Sequence, residues 1–244
     1  MPKAFQIDLD QQRTVGEILA ATVRLYRRYP LLFAILALAV MAPYKLAVLS
    51  LTGYGPLRQG HESAGVHWLL MLLDTSLITP LISALHIHAV VVIGEGRRPR
   101  LRAVAWRGLQ VLPVVAAADI MTSIGIFLGF IALVVPGILL TLRWAVVSQA
   151  AALEDEGWLA AVRGSARLTT GYYWHVLGLL FFTATLAGAV YFGARAIPLG
   201  SMSGLGSVTV GIAVYTVLAS FSALTLALLY FDLRARMQES DGVI

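Results

Sequence analysis

"VVPGILLTLRWAVVSQAAALE", residues Val134 to Glu154, is an apolar run long enough to cross a bilayer as a helix, yet it carries Arg143 near its middle. A soluble helix would turn that arginine to water. A membrane helix must give it a partner or a polar cavity. The Pro136-Gly137 pair at the start of the run reads as punctuation between two helices, because proline is best tolerated in a first helical turn.

The rest of the chain decides which solvent this helix meets. Of 244 residues, 59% are hydrophobic and 13% charged, against about 25% charged in soluble domains. With a mean hydropathy of +0.81, the polar residues are too few to cover a folded surface, so lipid is part of the solvent. Working outward from Val134, the pattern predicts six membrane helices: Pro30–Leu51, Trp68–Ile93, Leu109–Ala132, Val135–Leu153, Tyr172–Ala194 and Gly206–Leu233. The expected class is an all-α membrane protein with three parts. Residues 1–29 form an N-terminal segment with an interfacial helix, 30–236 the six-helix domain, and 237–244 a short tail. The opening "MPKAFQIDLDQQRTVGE" is polar and does not read as a secretory signal.

Basic residues set the expected orientation. Lys3, Arg13, Arg24, Arg27 and Arg28 precede the first helix; Arg97, Arg98, Arg100, Arg102 and Arg107 lie between the second and third. Arg163 and Arg167 lie between the fourth and fifth, and Arg234 and Arg236 follow the sixth. The other side holds Arg58 and Arg195. By the positive-inside rule both termini face the cytoplasm. The same arginines have two readings: a topogenic signal alone, or also a surface for anionic headgroups, each contributing about 1 kcal/mol. Nucleic acid is not an expected partner, because stacking aromatics are not interleaved with the basic residues.

Three segments resemble one another: "VGEILAATVRLYRRYPLLF", "RLRAVAWRGLQVLPVV" and "GWLAAVRGSARLTTGYYWHVL". In the first, Val15, Ile18, Leu19, Thr22, Leu25 and Tyr26 share a helical face that Arg24, Arg27 and Arg28 largely avoid. Such helices are expected in the interface plane, with Tyr29, Trp106, Trp158, Tyr172, Tyr173 and Trp174 as an aromatic belt. Either a threefold repeat or the ordinary basic-then-apolar order of inserting helices accounts for the likeness.

The block from Val134 to Leu180, with Pro136-Gly137, Arg143, Glu154, Ala161, Arg163, Ser165, Leu168, Gly171 and Trp174, resembles a bacterial integral-membrane family. That family occurs alone, and as the membrane domain ahead of some glycerophosphodiester phosphodiesterases. "TVGEILAATVRLYRRY" and "LALLYFDLRARMQ" fit it as well. The resemblance implies a protein of the bacterial cytoplasmic membrane and carries over no catalytic residue. Nothing in these 244 residues reads as a phosphodiesterase barrel.

Charged residues within the apolar runs are the candidate site. Counted from one side, Asp119 and Arg143 both lie about 15 Å deep on neighbouring antiparallel helices, at 1.5 Å per residue. Counted from the other side, Lys45 and Asp74 are also depth-matched. Two ion pairs are therefore expected, Arg143–Asp119 and Lys45–Asp74. The first is either a structural tie between helices or part of a polar cavity for an anionic headgroup or solute. His86 and His88, two apart on a helix, point to different faces, and His86 is placed to meet Asp232 or His175. With no cysteine and no ligand spacing, neither metal nor cofactor is expected. Ser165 lacks the glycines of a nucleophile elbow, and "GIFLG", Gly125–Gly129, fits close helix packing. The expectation is a non-catalytic membrane scaffold or accessory protein that meets lipids, a protein partner or its own copies. The alternative is a small transporter or lipid-handling protein with a polar cavity around Arg143 and Asp119.

Overall fold

The computed structural model describes residues 7–53, 63–154, 156–196 and 204–241. Lys3, Arg58 and His61, and the side chain of Arg195, lie outside the described residues. All elements among the described residues are helical. Six helical stretches are long and apolar enough to cross a membrane.

Helix α1 (Val15–Arg28) starts at a capping box. The Thr14 hydroxyl accepts from the Glu17 backbone N–H, and the Glu17 carboxylate accepts from Thr14 N–H at 2.8 Å, so exposed amides at the helix start are satisfied in both directions. Arg27 and Arg28 complement the negative end of its dipole. Tyr29 separates α1 from α2 (Pro30–Thr52), whose first position is proline.

The second span is interrupted. Helix α3 (Ala64–Leu73) passes through a π-helical turn, Asp74–Ile78, into α4 (Thr79–Gly94). Pro80 supplies the cause: it has no N–H for the Ser76 carbonyl and its ring crowds that carbonyl. One wide turn relieves this, with Thr79 N–H reaching back to Asp74 O.

Helix α5 (Leu101–Ala132) is 32 residues long, about 48 Å at 1.5 Å per residue, which exceeds a ~30 Å hydrocarbon core. Its first turns were expected to form a separate interfacial helix; they are instead continuous with the span. Only Leu133, extended, links α5 to α6 (Val134–Arg143). The return is tight because Gly129 faces Gly137: a Cβ on Gly129 would stand 3.1 Å from Gly137 Cα. A Cβ on Gly125 would strike the Trp144 ring at 2.7 Å. The Gly125–Gly129 spacing therefore does bring helices together.

The fourth span was expected as one helix, Val135–Leu153. It breaks over Trp144–Val146 and resumes as α7 (Val147–Leu153). Tighter i→i+3 bonds, Ala145 N–H to Leu142 O and Val147 N–H to Trp144 O, carry the chain across the break. Helix α8 (Trp158–Thr169) closes it from outside: the Thr169 and Ser165 hydroxyls donate to the Arg143 carbonyl at 3.0 and 3.3 Å. Gly171, at φ +87°, turns the chain into α9 (Tyr173–Ala196) where an L side chain would be strained. Helix α10 (Gly204–Asp241) is the longest among the described residues and includes 237–241 of the expected tail; residues 242–244 lie outside the described residues.

The three similar segments therefore differ in structure. α1 and α8 are separate helices, whereas the middle copy is fused to its span. Helices α2, α5 and α9 begin, and α4, α7 and α10 finish, at one end of the bundle, here the basic end. The core lies toward that end, where Ile18 and Leu25 of α1, Ile87 and Val90 of α4, Ala150 of α7, Ala161 of α8 and Leu224, Leu228 and Leu233 of α10 are buried. Helix α3 contributes no buried residue, and Phe127, Leu133, Val134 and Val135 at the far α5–α6 tip are exposed, as expected where lipid replaces water.

Candidate functional site

The intramembrane charges do not form the expected pairs. Asp119, half-buried on α5, accepts the Ser148 hydroxyl of α7 at 2.9 Å to either carboxylate oxygen. Among the described residues the ion pairs are Arg97–Glu95, His175–Asp232 and Arg236–Asp232, so no Arg143–Asp119 pair forms. The depth count assumed an unbroken fourth helix. Arg143 is instead the last residue of α6, exposed and level with the α8–α9 junction through its carbonyl contacts, while the depth partner of Asp119 is Ser148 beyond the break.

Lys45 and Asp74 do come within electrostatic reach of each other, though no ion pair within 4 Å joins them. The Lys45 ammonium sits over the rings of Tyr215, at 4.3 Å, and Tyr44, at 4.8 Å, where ring quadrupoles hold a cation. The Tyr44 hydroxyl donates to Leu70 O at 3.1 Å, tying α2 to α3 beside it. One carboxylate oxygen of Asp74, at the start of the π turn, is buried without a hydrogen-bond partner.

His86 is fully buried and meets neither Asp232 nor His175. Its Nδ1 donates to Ile82 O at 2.8 Å, since a carbonyl can only accept, and its Nε2 stands 3.1 Å from Ser220 Oγ. Ser220 in turn donates to Phe33 O at 3.0 Å, and the Phe33 ring stacks on the imidazole. This chain joins α4, α10 and α2.

The most connected buried charge is Asp232, which the depth counting did not single out. It is fully buried near the end of α10 and accepts the Arg13 backbone N–H at 2.6 Å and Arg236 Nε–H at 2.9 Å. His175 Nε2 lies 3.0 Å away, within ion-pair range, although its N–H does not line up as a hydrogen bond. Arg236 also donates to Arg13 O at 2.7 Å and lies over the Tyr172 ring. The Arg13 guanidinium, which burial pushes below its usual pKa against the pull of Asp8 and Asp232, donates to the carbonyls of Gln11 and Asp8. The N-terminal segment is thus strapped across α9 and α10. The sequence signal was present: an acid inside the last apolar run, four residues before an arginine.

Nine arginines expected to face headgroups, Arg24, Arg27, Arg28, Arg97, Arg98, Arg100, Arg102, Arg163 and Arg167, are all exposed. Only Arg97 among them has an ion-pair partner among the described residues, the exposed Glu95. α1 and α8 bury the opposite face: Ile18, Ala21 and Leu25 in one, Ala161, Ser165 and Leu168 in the other. Between the end of α4, the start of α5 and α7 lies a cavity of about 790 Å³ whose lining includes His88, Glu95, Arg97, Arg98, Arg100 and Arg107.

No family model, no curated protein and no solved structure matches this chain.

Proposed function

We propose that this is a multi-pass protein of a bacterial cytoplasmic membrane, with both termini in the cytoplasm. It acts without catalysis as a scaffold or accessory that grips the anionic inner leaflet and presents its basic end to a protein partner or a second copy. The reading keeps the resemblance to the membrane domain found ahead of glycerophosphodiester phosphodiesterases, and it assigns no phosphodiesterase chemistry to this chain. One observation carries it: nine arginines at the basic end stay exposed, eight of them with no carboxylate within 4 Å among the described residues. A purely structural set of arginines would be spent on internal ion pairs. Set against a negative leaflet, each contributes about 1 kcal/mol, and α1 and α8 hold their arginines on the face turned away from the core.

The small-transporter reading has one observation in its favour, the two interrupted spans at Asp74–Ile78 and Trp144–Val146. Its expected centre does not support it, because Arg143 and Asp119 do not face each other.

The test is lipid retention by the purified protein in nanodiscs of mixed phosphatidylcholine and phosphatidylglycerol, followed by native mass spectrometry. The expected result is enrichment of phosphatidylglycerol on the protein, falling as salt rises across the range that shortens the Debye length from about 10 Å toward 3 Å. Lipid retained in proportion to the mixture would overturn the proposal.

A further inference from the structure

The basic end carries more than diffuse charge. The cavity between α4, α5 and α7 is lined by four arginines, Arg97, Arg98, Arg100 and Arg107, and by one carboxylate, Glu95, which is already engaged by Arg97. Its lining also includes His88, only 9% exposed, whose Nε2 has no hydrogen-bond partner. His88 lies one turn before Val91 and Val92, which line the same cavity, so its imidazole sits at the inner end of that α4 face. A buried ring nitrogen left unpartnered in a cavity lined by arginines suits an anionic oxygen and is costly without one.

A second feature adjoins the first. Arg100 and Ala103 are shared between this cavity and an almost wholly apolar groove of about 690 Å³ along α5, completed by Arg102, Ala105, Trp106 and Leu109. Trp106 is 65% exposed and Leu109 51% exposed. A soluble phosphate would use the cavity and leave the groove empty. An amphiphile with an anionic head and a hydrocarbon tail uses both, with the arginines at the junction.

We infer that cavity and groove together bind one anionic glycerophospholipid. Its phosphate is held by Arg97, Arg100, Arg107 and His88 Nε2, and an acyl chain lies along Ala103, Trp106 and Leu109. The site rests on the lipid-gripping function proposed above and narrows it from a charged surface to one built pocket. Phosphate oxygens suit arginine's forked donors, and a phosphate seated inward against the buried His88 Nε2 is screened less by salt than headgroups on the leaflet around it.

The experiment compares two sets of substitutions in the full-length protein, both at exposed arginines so that folding is retained. R97Q, R100Q and R107Q together are expected to remove one salt-resistant phosphatidylglycerol from the native mass spectrum, weakening its retention at least tenfold. R24Q, R27Q and R28Q together are expected to leave it in place. Trp106→Ser should weaken retention of the lipid without changing binding of glycerol 3-phosphate. Equal effects of the two triple variants would overturn the pocket while leaving general leaflet binding intact. Absence of any anionic preference in the parent would overturn both. Full displacement of the lipid by millimolar inorganic phosphate, with Trp106→Ser unchanged, would make the occupant a soluble anion and overturn the lipid assignment.

Discussion

Replacing Asp232 with asparagine should release the N-terminal strap while leaving the bundle folded. The carboxylate is fully buried and engages three groups: Arg13 N–H at 2.6 Å, Arg236 Nε at 2.9 Å and His175 Nε2 at 3.0 Å. Asparagine keeps one acceptor oxygen but turns an NH₂ toward a neighbouring donor. It also removes the counter-charge of Arg236. Breaking a buried pair by removing one member costs about 3–5 kcal/mol. Arg236 and His175 retain 18% and 16% of their side-chain exposure, so water offsets part of the loss and about 3 kcal/mol is the expected value. As local opening, that is roughly a hundredfold loss of amide protection. Hydrogen exchange read by mass spectrometry should show it in residues 13–18, with peptides from the middle of α10 unchanged. The double variant D232N/R236Q should cost less than the sum of the two singles, by about 1 kcal/mol or more, because the residues share one network. Protection of residues 13–18 within threefold of the parent would refute the reasoning. It would show that the packing of Ile18 and Leu25 and the Thr14–Glu17 cap hold the strap without Asp232.

Two further outcomes follow from the fold. Gly129→Val places branched carbons where even a Cβ would stand 3.1 Å from the Gly137 backbone, so the α5–α6 hairpin must separate. The expected loss is about 1–3 kcal/mol, read as a lower thermal midpoint, while Gly188→Val, with nothing within 4 Å of its Cβ, should be close to neutral. The Glu17 carboxylate is held below the usual carboxylate pKa, first by the Thr14 backbone N–H and then by its hydroxyl. Because the folded value is depressed, its contribution is complete above the unfolded value of about 4.3 and is lost as pH falls through the folded value. Fraying of the first turn of α1 on acidification, absent from a Glu17→Gln variant whose amide oxygen keeps the Thr14 N–H at every pH, is the expected exchange pattern.

The class of fold was legible because it rests on composition and run length. Six apolar runs among few charges predicted six spans, and the described residues carry six helical stretches long and apolar enough to cross a membrane, two of them interrupted. The breaks were partly legible. Pro136-Gly137 marked the α5–α6 turn, and Pro80 signals the π turn once its missing N–H is followed back to Ser76. The break at Trp144–Val146 carries no proline or glycine. It depends on Trp144 filling the space over Gly125 and on hydroxyls of α8 taking the Arg143 carbonyl, partners distant in sequence. That explains the error at Arg143, since a depth count along one helix has no access to a bend stabilised by another. Lys45 and Asp74, by contrast, lie within electrostatic reach without forming the expected ion pair, since the count from the far side crossed no break between either residue and its helix end.

Arg143 therefore belongs with the other arginines rather than against them. α6 ends at Arg143, whose carbonyl accepts from Ser165 and Thr169 of α8, and its side chain is exposed. The charge inside the fourth span is exposed at the break rather than paired within the bundle. Of the charges inside, Asp119 is met by Ser148, Lys45 lies over Tyr215 and Tyr44, and Asp232 forms the dense node that fastens the N-terminal segment, while one oxygen of Asp74 is left without a hydrogen bond. On the proposed function, the exposed arginines at one end, with the N-terminal segment tied to that end, meet what approaches from the membrane surface. The Arg143–Asp119 centre that the transporter reading expected does not form, because Asp119 is taken by Ser148 and Arg143 is exposed at the break.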